Sequence, residues 1–424
     1  MQLPGVLLLS KYIIQGGREI NGVIRIGGAK NSVLPIFAAT ILSGRKSIIH
    51  DCPILKDVEI MIDILKVLGC SVKREGHTVI IDTSGYIEYE VPDILVRKMR
   101  SSIVLLGALI SRVKKAKICF PGGCDIGPRP IDLHLKGLEQ LGVKINESHG
   151  TIYCEASDLK GADIHLDYPS VGATENILLA SVFAKGTTTI RNAAKEPEIG
   201  DLQNFLNIIG AKVSGAGTNN IRVEGVKSLN DGEHTIIPDR IVAGTYMAAA
   251  ASTGGNLELQ NINVEHMQPI IAKLKEMGCD IYFKDGSMHI TSPKRLRAVD
   301  IVRTLPYPGF PTDMQAPIVA LLSKAKGTSI MIETVFENRF KHVEDLICMG
   351  ANIKVDGRIA IIRGRSRLTG ANVTARDLRG GAALVLAGLS AEGTTVLDAV
   401  EHIDRGYEDI HLHLQQLGAD IVRI

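Results

Sequence analysis

The sequence predicts an α/β protein built from six repeated units, three to a domain. Three observations carry this. An apolar residue, a glycine and a short β-like run recur at Leu68-Gly69, Leu141-Gly142, Ile209-Gly210, Met277-Gly278, Met349-Gly350 and Leu417-Gly418, the glycines 73, 68, 68, 72 and 68 residues apart. A second helix, rich in Ala, Gly and Leu, occurs once in every unit. The last unit ends one strand short, while the chain begins with strand-like residues 12–15 and 22–26 that belong to no preceding unit.

Each repeated glycine is expected to close an amphipathic helix, as in 57–68 and 343–349, where a left-handed residue lets the chain turn into a strand. A strand and loop lie upstream, for example 187–190 followed by 192–197, and a hairpin downstream, as in 353–362 turning at Asp356-Gly357. The second helices are expected over 31–42, 98–110, 171–184, 241–252, 313–322 and 378–387. Almost free of charge beyond their first turns, they should be buried on all sides. One unit therefore reads helix, strand, loop, helix, strand, strand. Six units of about seventy residues exceed one ordinary core. The expected division is 30–237 for one domain, and 1–29 with 238–424 for a second, discontinuous one.

Composition sets the broad class. The chain has 424 residues, 45% hydrophobic and 22% charged, with a formal net charge of +2, as in a globular protein with ample core and no overall pull on nucleic acid. Seven cysteines, an odd number without a C-x-x-C pair, favour a reducing cytoplasm and no structural metal. No apolar run approaches the roughly twenty residues of a membrane span. Residues 3–9 are apolar but lack a preceding basic residue and a clear cleavage signature, so a loose extension is expected rather than a signal peptide.

Helix starts at equivalent places offer unpaired N–H groups and partial positive charge to an anion. At or near them stand Lys30-Asn31, Arg100, Ser170-Val171-Gly172, Asp239-Arg240, Thr312-Asp313 and Asp377 with Arg379. Lys30 reads equally as a solvated charge; Asn31, Ser32 and a proline placed in the first turn, Pro35, favour function there. Plain N-capping accounts for Asp313 and Asp377. The segment 121–134 surrounds Cys124 with three glycines and three prolines, so its thiol is expected on an exposed loop, where reactivity explains a cysteine better than packing does. Such a thiol can donate a proton, while nearby Arg129 favours the nucleophilic thiolate. His134 either orients this loop or takes part in chemistry. Arginines in the loops 333–339 and 402–408 are surface ion-pair partners or, converging, a clamp for phosphate or carboxylate.

The segments G-A-K-N-S-V-L-P (28–35), P-G-G-C-D-I-G-P-R-P-I-D (121–132), S-V-G-A-T (170–174), F-P-T-D-M-Q-A (310–316), E-T-V-F-E-N-R-F (333–340) and H-I-D-R-G-Y-E (402–408) resemble the UDP-N-acetylglucosamine enolpyruvyl transferase family over residues 11–424. The resemblance implies two inside-out α/β barrel domains with the active site in the cleft between them. It also implies transfer of enolpyruvate from phosphoenolpyruvate to the sugar 3-hydroxyl, with phosphate released, as the step committing a sugar nucleotide to peptidoglycan. No metal or organic cofactor, membrane or nucleic acid is implied. Carried over, Cys124 is the proton donor and adduct site. Lys30, Asn31, Arg129 and Arg405 hold phosphoenolpyruvate, and Asp313 takes or positions the sugar proton. Arg100, Arg129, Pro130, Ile131, Asp132, Leu133, Ser170, Val171, Gly172, Asp313 and Val335 contact the sugar nucleotide; His134, Asp377 and Arg379 support the site. The related shikimate-pathway transferase lacks the cysteine loop. An RNA-end cyclase shares the repeats, but no nucleic-acid footprint is present. A non-catalytic paralogue would lose the acid or base, and both are present.

Overall fold

The computed structural model describes residues 10–121 and 131–424. These form two compact units, one from 10–26 and 239–424, the other from 27–121 and 131–238. Six separate sheets are present among the described residues, five four-stranded and one three-stranded, so each sequence unit corresponds to one sheet.

The repeated glycines are explained by backbone geometry. All six adopt φ between +91° and +102°, a region closed to most side chains. In the first, the Gly69 N–H bonds the Lys66 carbonyl at 3.0 Å and the Cys70 N–H reaches Leu65 at 2.9 Å, and the same bond pair closes the other five helices. This double closure satisfies the last carbonyls while aiming the chain into the next strand.

The second helices are the buried ones: α1 (Lys30–Ser43), α2 (Leu105–Val113), α3 (Val171–Ser181), α4 (Arg240–Thr253), α5 (Gln315–Leu322) and α6 (Leu378–Ser390). In α1 every residue from Ser32 to Ser43 is buried. Within one unit α1, α2 and α3 pack together, within the other α4, α5 and α6, and sheets surround each trio. Close approach needs small residues: a Cβ on Gly107 of α2 would lie 2.2 Å from the Asn176 carbonyl of α3. Two starts differ from expectation. The segments over 98–110 and 313–322 begin as 3₁₀ turns, Arg100–Val104 and Thr312–Met314, before the α-helix is established. Pro35 lies in the second turn of α1, not the first, and cannot supply the N–H that would bond the Asn31 carbonyl.

The unit pattern also missed a strand. Short strands ahead of three buried helices, Asp163–His165, Ile301–Arg303 and Asn372–Thr374, pair in parallel with the strand that follows the helix. For α1 and α4 these partners are exchanged: Asn21–Arg25 pairs with Asn256–Gln260, and Gly232–Thr235 with Lys46–His50. Tyr12–Gln15 lies antiparallel between Thr394–Asp398 and Asp420–Arg423, where the other sheets carry the second hairpin strand.

Candidate active site

In the unit containing 239–424, all three buried helices begin at an aspartate, but only two of these behave as caps. Asp239 accepts from the Ile241 and Val242 N–H groups at 2.9 and 3.0 Å, and Asp377 from those of Arg379 and Gly380, both at 2.9 Å. Asp313 caps nothing. Its Oδ1 accepts from Arg339 Nη2 at 2.6 Å and its Oδ2 from Arg379 Nη2 at 3.3 Å. Burial alone would raise the Asp313 carboxyl, but Arg379, Arg339 and Arg240 outweigh it and hold the group well below the usual carboxylate range.

Asp313 remains 27% exposed, whereas the side chains of Arg339 and Arg379 are 4% and 6% exposed, so the carboxylate is the reachable member. Nε of both arginines and Nη1 of Arg379 are buried without a hydrogen-bond partner among the described residues. Each guanidinium instead lies over an aromatic ring, Arg339 over Phe336 at 5.4 Å and Arg379 over Tyr407 at 5.3 Å from the centroid. The neighbouring His342 is driven to about 4, by burial above all, against the pull of the Asp377 carboxylate, and is neutral.

Buried Glu333 shapes the adjoining loop. It accepts from the Val335 and Phe336 N–H groups at 2.7 and 3.1 Å and from the hydroxyls of Thr304 and Thr312, both at 2.9 Å. One carboxylate thus fixes Val335 and the residue before Asp313. Arg405 ends the 3₁₀ turn Val400–Arg405, and the next residue, Gly406, lies against Leu378 at the start of α6.

The other unit is arranged differently. Lys30 is no solvated charge: its ammonium meets Asp57 at 2.6 Å, with side chains 11% and 3% exposed. Asn31 beside it is exposed. Arg100 is half-buried with no hydrogen bond or ion pair among the described residues. His134 is buried, and burial, then the Arg100 charge, takes it down to about 4. Its Nδ1 accepts from the Asn176 amide at 2.7 Å, which leaves the proton of the neutral ring on Nε2. Asn176 also donates to the Ile103 carbonyl at 2.9 Å and accepts from the Gly107 N–H at 2.7 Å. A Cβ on Gly172 would come within 2.9 Å of the imidazole, so His134 and the start of α3 touch. Ser170 caps α3 through the Ala173 N–H at 3.3 Å. Val171 and Gly172 are half-buried, as is Leu133; Ile131 is buried and Asp132 exposed.

The sequence pointed to Asp313, Asp377 and Arg379 at helix starts and to Arg339 as an ion-pair partner or clamp; Glu333 opened the same loop with no role of its own, and Asp57 and Asn176 were not singled out. Glu333 had a local signal, a carboxylate ending the strand Thr328–Ile332. Asp57 and Asn176 had none, because their partners lie 27 and 42 residues away. Cys124, Arg129 and Pro130 lie outside the described residues.

Comparison with known proteins gives this geometry a family. The chain is 60% identical over 416 residues to UDP-N-acetylglucosamine 1-carboxyvinyltransferase 2 of Caldanaerobacter subterraneus, covering 98% of this chain and all of that protein. It belongs to the UDP-N-acetylglucosamine 1-carboxyvinyltransferase family. Another family member, from Halothermothrix orenii, is 51% identical over 98% of the chain and all of its own length. The broader family model described as EPSP synthase (3-phosphoshikimate 1-carboxyvinyltransferase) matches residues 14–414. Among solved structures, the enolpyruvyl transferase NikO from Streptomyces tendae superposes with a TM-score of 0.89 at 26% identity, covering 98% of this chain and 99% of that one. EPSP synthase from Acinetobacter baumannii superposes at 0.76 over 98% and 100% of the two chains, and at 18% identity shows the fold alone. The six-sheet architecture is thus that of the enolpyruvyl transferases, as the motifs implied. This carboxyvinyltransferase family member has no helix long and apolar enough to cross a membrane among its described residues.

Proposed function

We propose that the chain transfers the enolpyruvyl group of phosphoenolpyruvate to the 3-hydroxyl of UDP-N-acetylglucosamine, releasing phosphate, as the committed step of peptidoglycan synthesis in the cytoplasm. The observation that carries this reading is end-to-end identity of 60% to a protein named for that activity. In the addition step, Asp313 orients the sugar hydroxyl and accepts its proton as the oxygen bonds to C2 of phosphoenolpyruvate. The Cys124 thiol gives a proton to the C3 methylene. The tetrahedral ketal then loses a C3 proton and phosphate, restoring the double bond in the product.

The geometry around Asp313 bears on how this works. A carboxylate held by two arginines is a weak base in the resting state but a well-aimed hydrogen-bond acceptor. Asp313, the exposed member of the cluster, meets the sugar hydroxyl while the two buried arginines keep it ionised and aimed. Lys30, Asn31, Arg129 and Arg405 are assigned to phosphoenolpyruvate. Arg100, residues 129–133, Ser170, Val171, Gly172 and Val335 are assigned to the sugar nucleotide. Arg100, lacking an acidic partner among the described residues, suits its diphosphate. His134, Asp377 and Arg379 support these groups.

The test is phosphate release from purified protein given phosphoenolpyruvate with UDP-N-acetylglucosamine, and separately with shikimate 3-phosphate, alongside Cys124→Ala. Turnover with the sugar nucleotide alone, lost in the variant, is expected. Turnover with shikimate 3-phosphate instead would reassign the acceptor, and turnover with neither would remove the catalytic reading. The epoxide fosfomycin should add one equivalent to Cys124, and Cys124→Asp should keep turnover while losing that sensitivity.

A further inference from the structure

The 3₁₀ turn Val400–Arg405 that ends in Arg405 is a poor anchor by itself. Short 3₁₀ turns have weak hydrogen bonds; here the His402 N–H meets the Ala399 carbonyl at 3.3 Å and the Gly406 N–H meets Ile403 at 3.0 Å. Two non-glycine residues in left-handed conformation bracket the segment, Ala399 at φ +58° and Asp409 at φ +37°. Backbone of this kind persists only when surrounding contacts over-determine it.

Those contacts are specific. Both oxygens of Asp404 are gripped by Arg423, Nη1 to Oδ1 at 2.9 Å and Nη2 to Oδ2 at 2.7 Å, a planar bidentate pair. Arg423 is itself fixed over the face of Tyr12, 5.9 Å from the ring centroid, and Tyr12 stacks on His411 at 5.4 Å. The Tyr12 strand pairs with the strand bearing Arg423, Tyr12 opposite Arg423. Beyond Arg405, Tyr407 is pinned through its hydroxyl to Thr245 at 2.9 Å and covered by Arg379 at 5.3 Å. Arg405 therefore lies between a clamped neighbour on one side and a buried tyrosine two residues on.

We propose that Arg423, acting through its bidentate grip on Asp404, is a positioning residue that sets Arg405 for the phosphoenolpyruvate anion. This rests on the assignment of Arg405 to that substrate. A simple stability role would lower the melting temperature and leave both Michaelis constants alone. Positioning instead predicts a selective change, because a guanidinium displaced by about 1 Å loses most of its alignment with a phosphate or carboxylate.

The experiment measures steady-state kinetics of Arg423→Ala, Arg423→Lys, Asp404→Asn and the exchanged pair Asp404→Arg/Arg423→Asp, with thermal melts of each. Arg423→Ala and Asp404→Asn should raise KM for phosphoenolpyruvate about ten- to a hundred-fold while KM for the sugar nucleotide changes less than about three-fold. Arg423→Lys, which keeps charge but not the fork, should fall between, and the exchanged pair should recover much of the loss. Should Arg423→Ala fail to fold, the near-isosteric Asp404→Asn carries the reading. An unchanged KM for phosphoenolpyruvate in folded Asp404→Asn, or equal changes for both substrates, would overturn the proposal. Arg405→Ala run in parallel separates the premises: if it leaves KM for phosphoenolpyruvate unchanged, the assignment of Arg405 is wrong, whereas a rise there with none in Asp404→Asn removes the clamp alone.

Discussion

The two units share a scaffold of three buried helices surrounded by sheets, yet they treat the starts of those helices in opposite ways. In the unit with 239–424 every start carries an aspartate, and three arginines act electrostatically on the one that does not cap. In the other unit the starts are Lys30, Arg100 and Ser170; the lysine is tied to an acid from the next helix and the interior is held by the neutral Asn176–His134 pair. A buried helix must end its N–H groups somewhere, and that requirement is met by Asp239, Asp377 and Ser170 in the ordinary manner. Where a start departs from it, as at Asp313 or Arg100, the side chain is available for something else. The comparison separates capping from chemistry more sharply than either unit does alone.

The largest effect should come from splitting Asp313 from Asp377. Asp313→Asn should lower kcat about 10²- to 10⁴-fold, the range for losing a positioned acid or base, while Asp377→Ala should act mainly on stability, by about 1 kcal/mol through its lost cap. Phosphate-release kinetics with thermal melts of both variants give the answer. Equal kinetic losses would mean that the distinction between capping and non-capping aspartates has no functional content.

Part of this was legible in the sequence, and the reasons differ by feature. The Gly69 series could be read because each glycine is required by a local backbone conformation, and local requirements repeat at fixed spacing. The extra parallel strands could not, since Asp163–His165, Ile301–Arg303 and Asn372–Thr374 are three residues each, too short to display alternation. Asp313 and Asp377 look alike as helix-start acids. What separates them is Arg339, 26 residues from Asp313 in sequence, and Arg379, 66 residues away, contacts that no local pattern encodes. Lys30 was ambiguous for the same reason, because its partner Asp57 belongs to another helix.

The Lys30–Asp57 pair gives the next test, confined to the other unit. Lys30→Met leaves Asp57 buried without its cation and should cost on the order of 3 kcal/mol as well as activity. Lys30→Met/Asp57→Leu removes both charges and should recover much of the stability but none of the activity. Denaturant unfolding with parallel assays distinguishes the roles. Recovery of activity in the double variant would show that the lysine charge serves packing alone, and would leave that unit without its expected anion anchor at α1.

The smallest expected effect is one in which the two units behave alike. His134 in one and His342 in the other are both pushed down from 6.5 to about 4, chiefly by burial. Between those values the unfolded chain binds a proton at each site and the native chain does not, so stability must fall as pH drops from about 6.5 towards 4. Each histidine contributes up to about 3 kcal/mol once the pH is below 4, and about 2 kcal/mol at pH 5. Asp313 is shifted in the same direction, downward, but from a lower starting point: the stability it contributes is fully present above its unfolded value and is lost only as pH falls below about 4, outside this window. Melting temperatures between pH 7 and 5 should therefore drop in the parent, and His134→Gln and His342→Gln should each flatten the slope by a comparable amount. A variant that keeps the full parental slope would show that its histidine is charged in the native state. For His134 that would reverse the Asn176 hydrogen bond, since a protonated Nδ1 cannot accept from the amide, and the neutral interior of that unit would be a charged one after all.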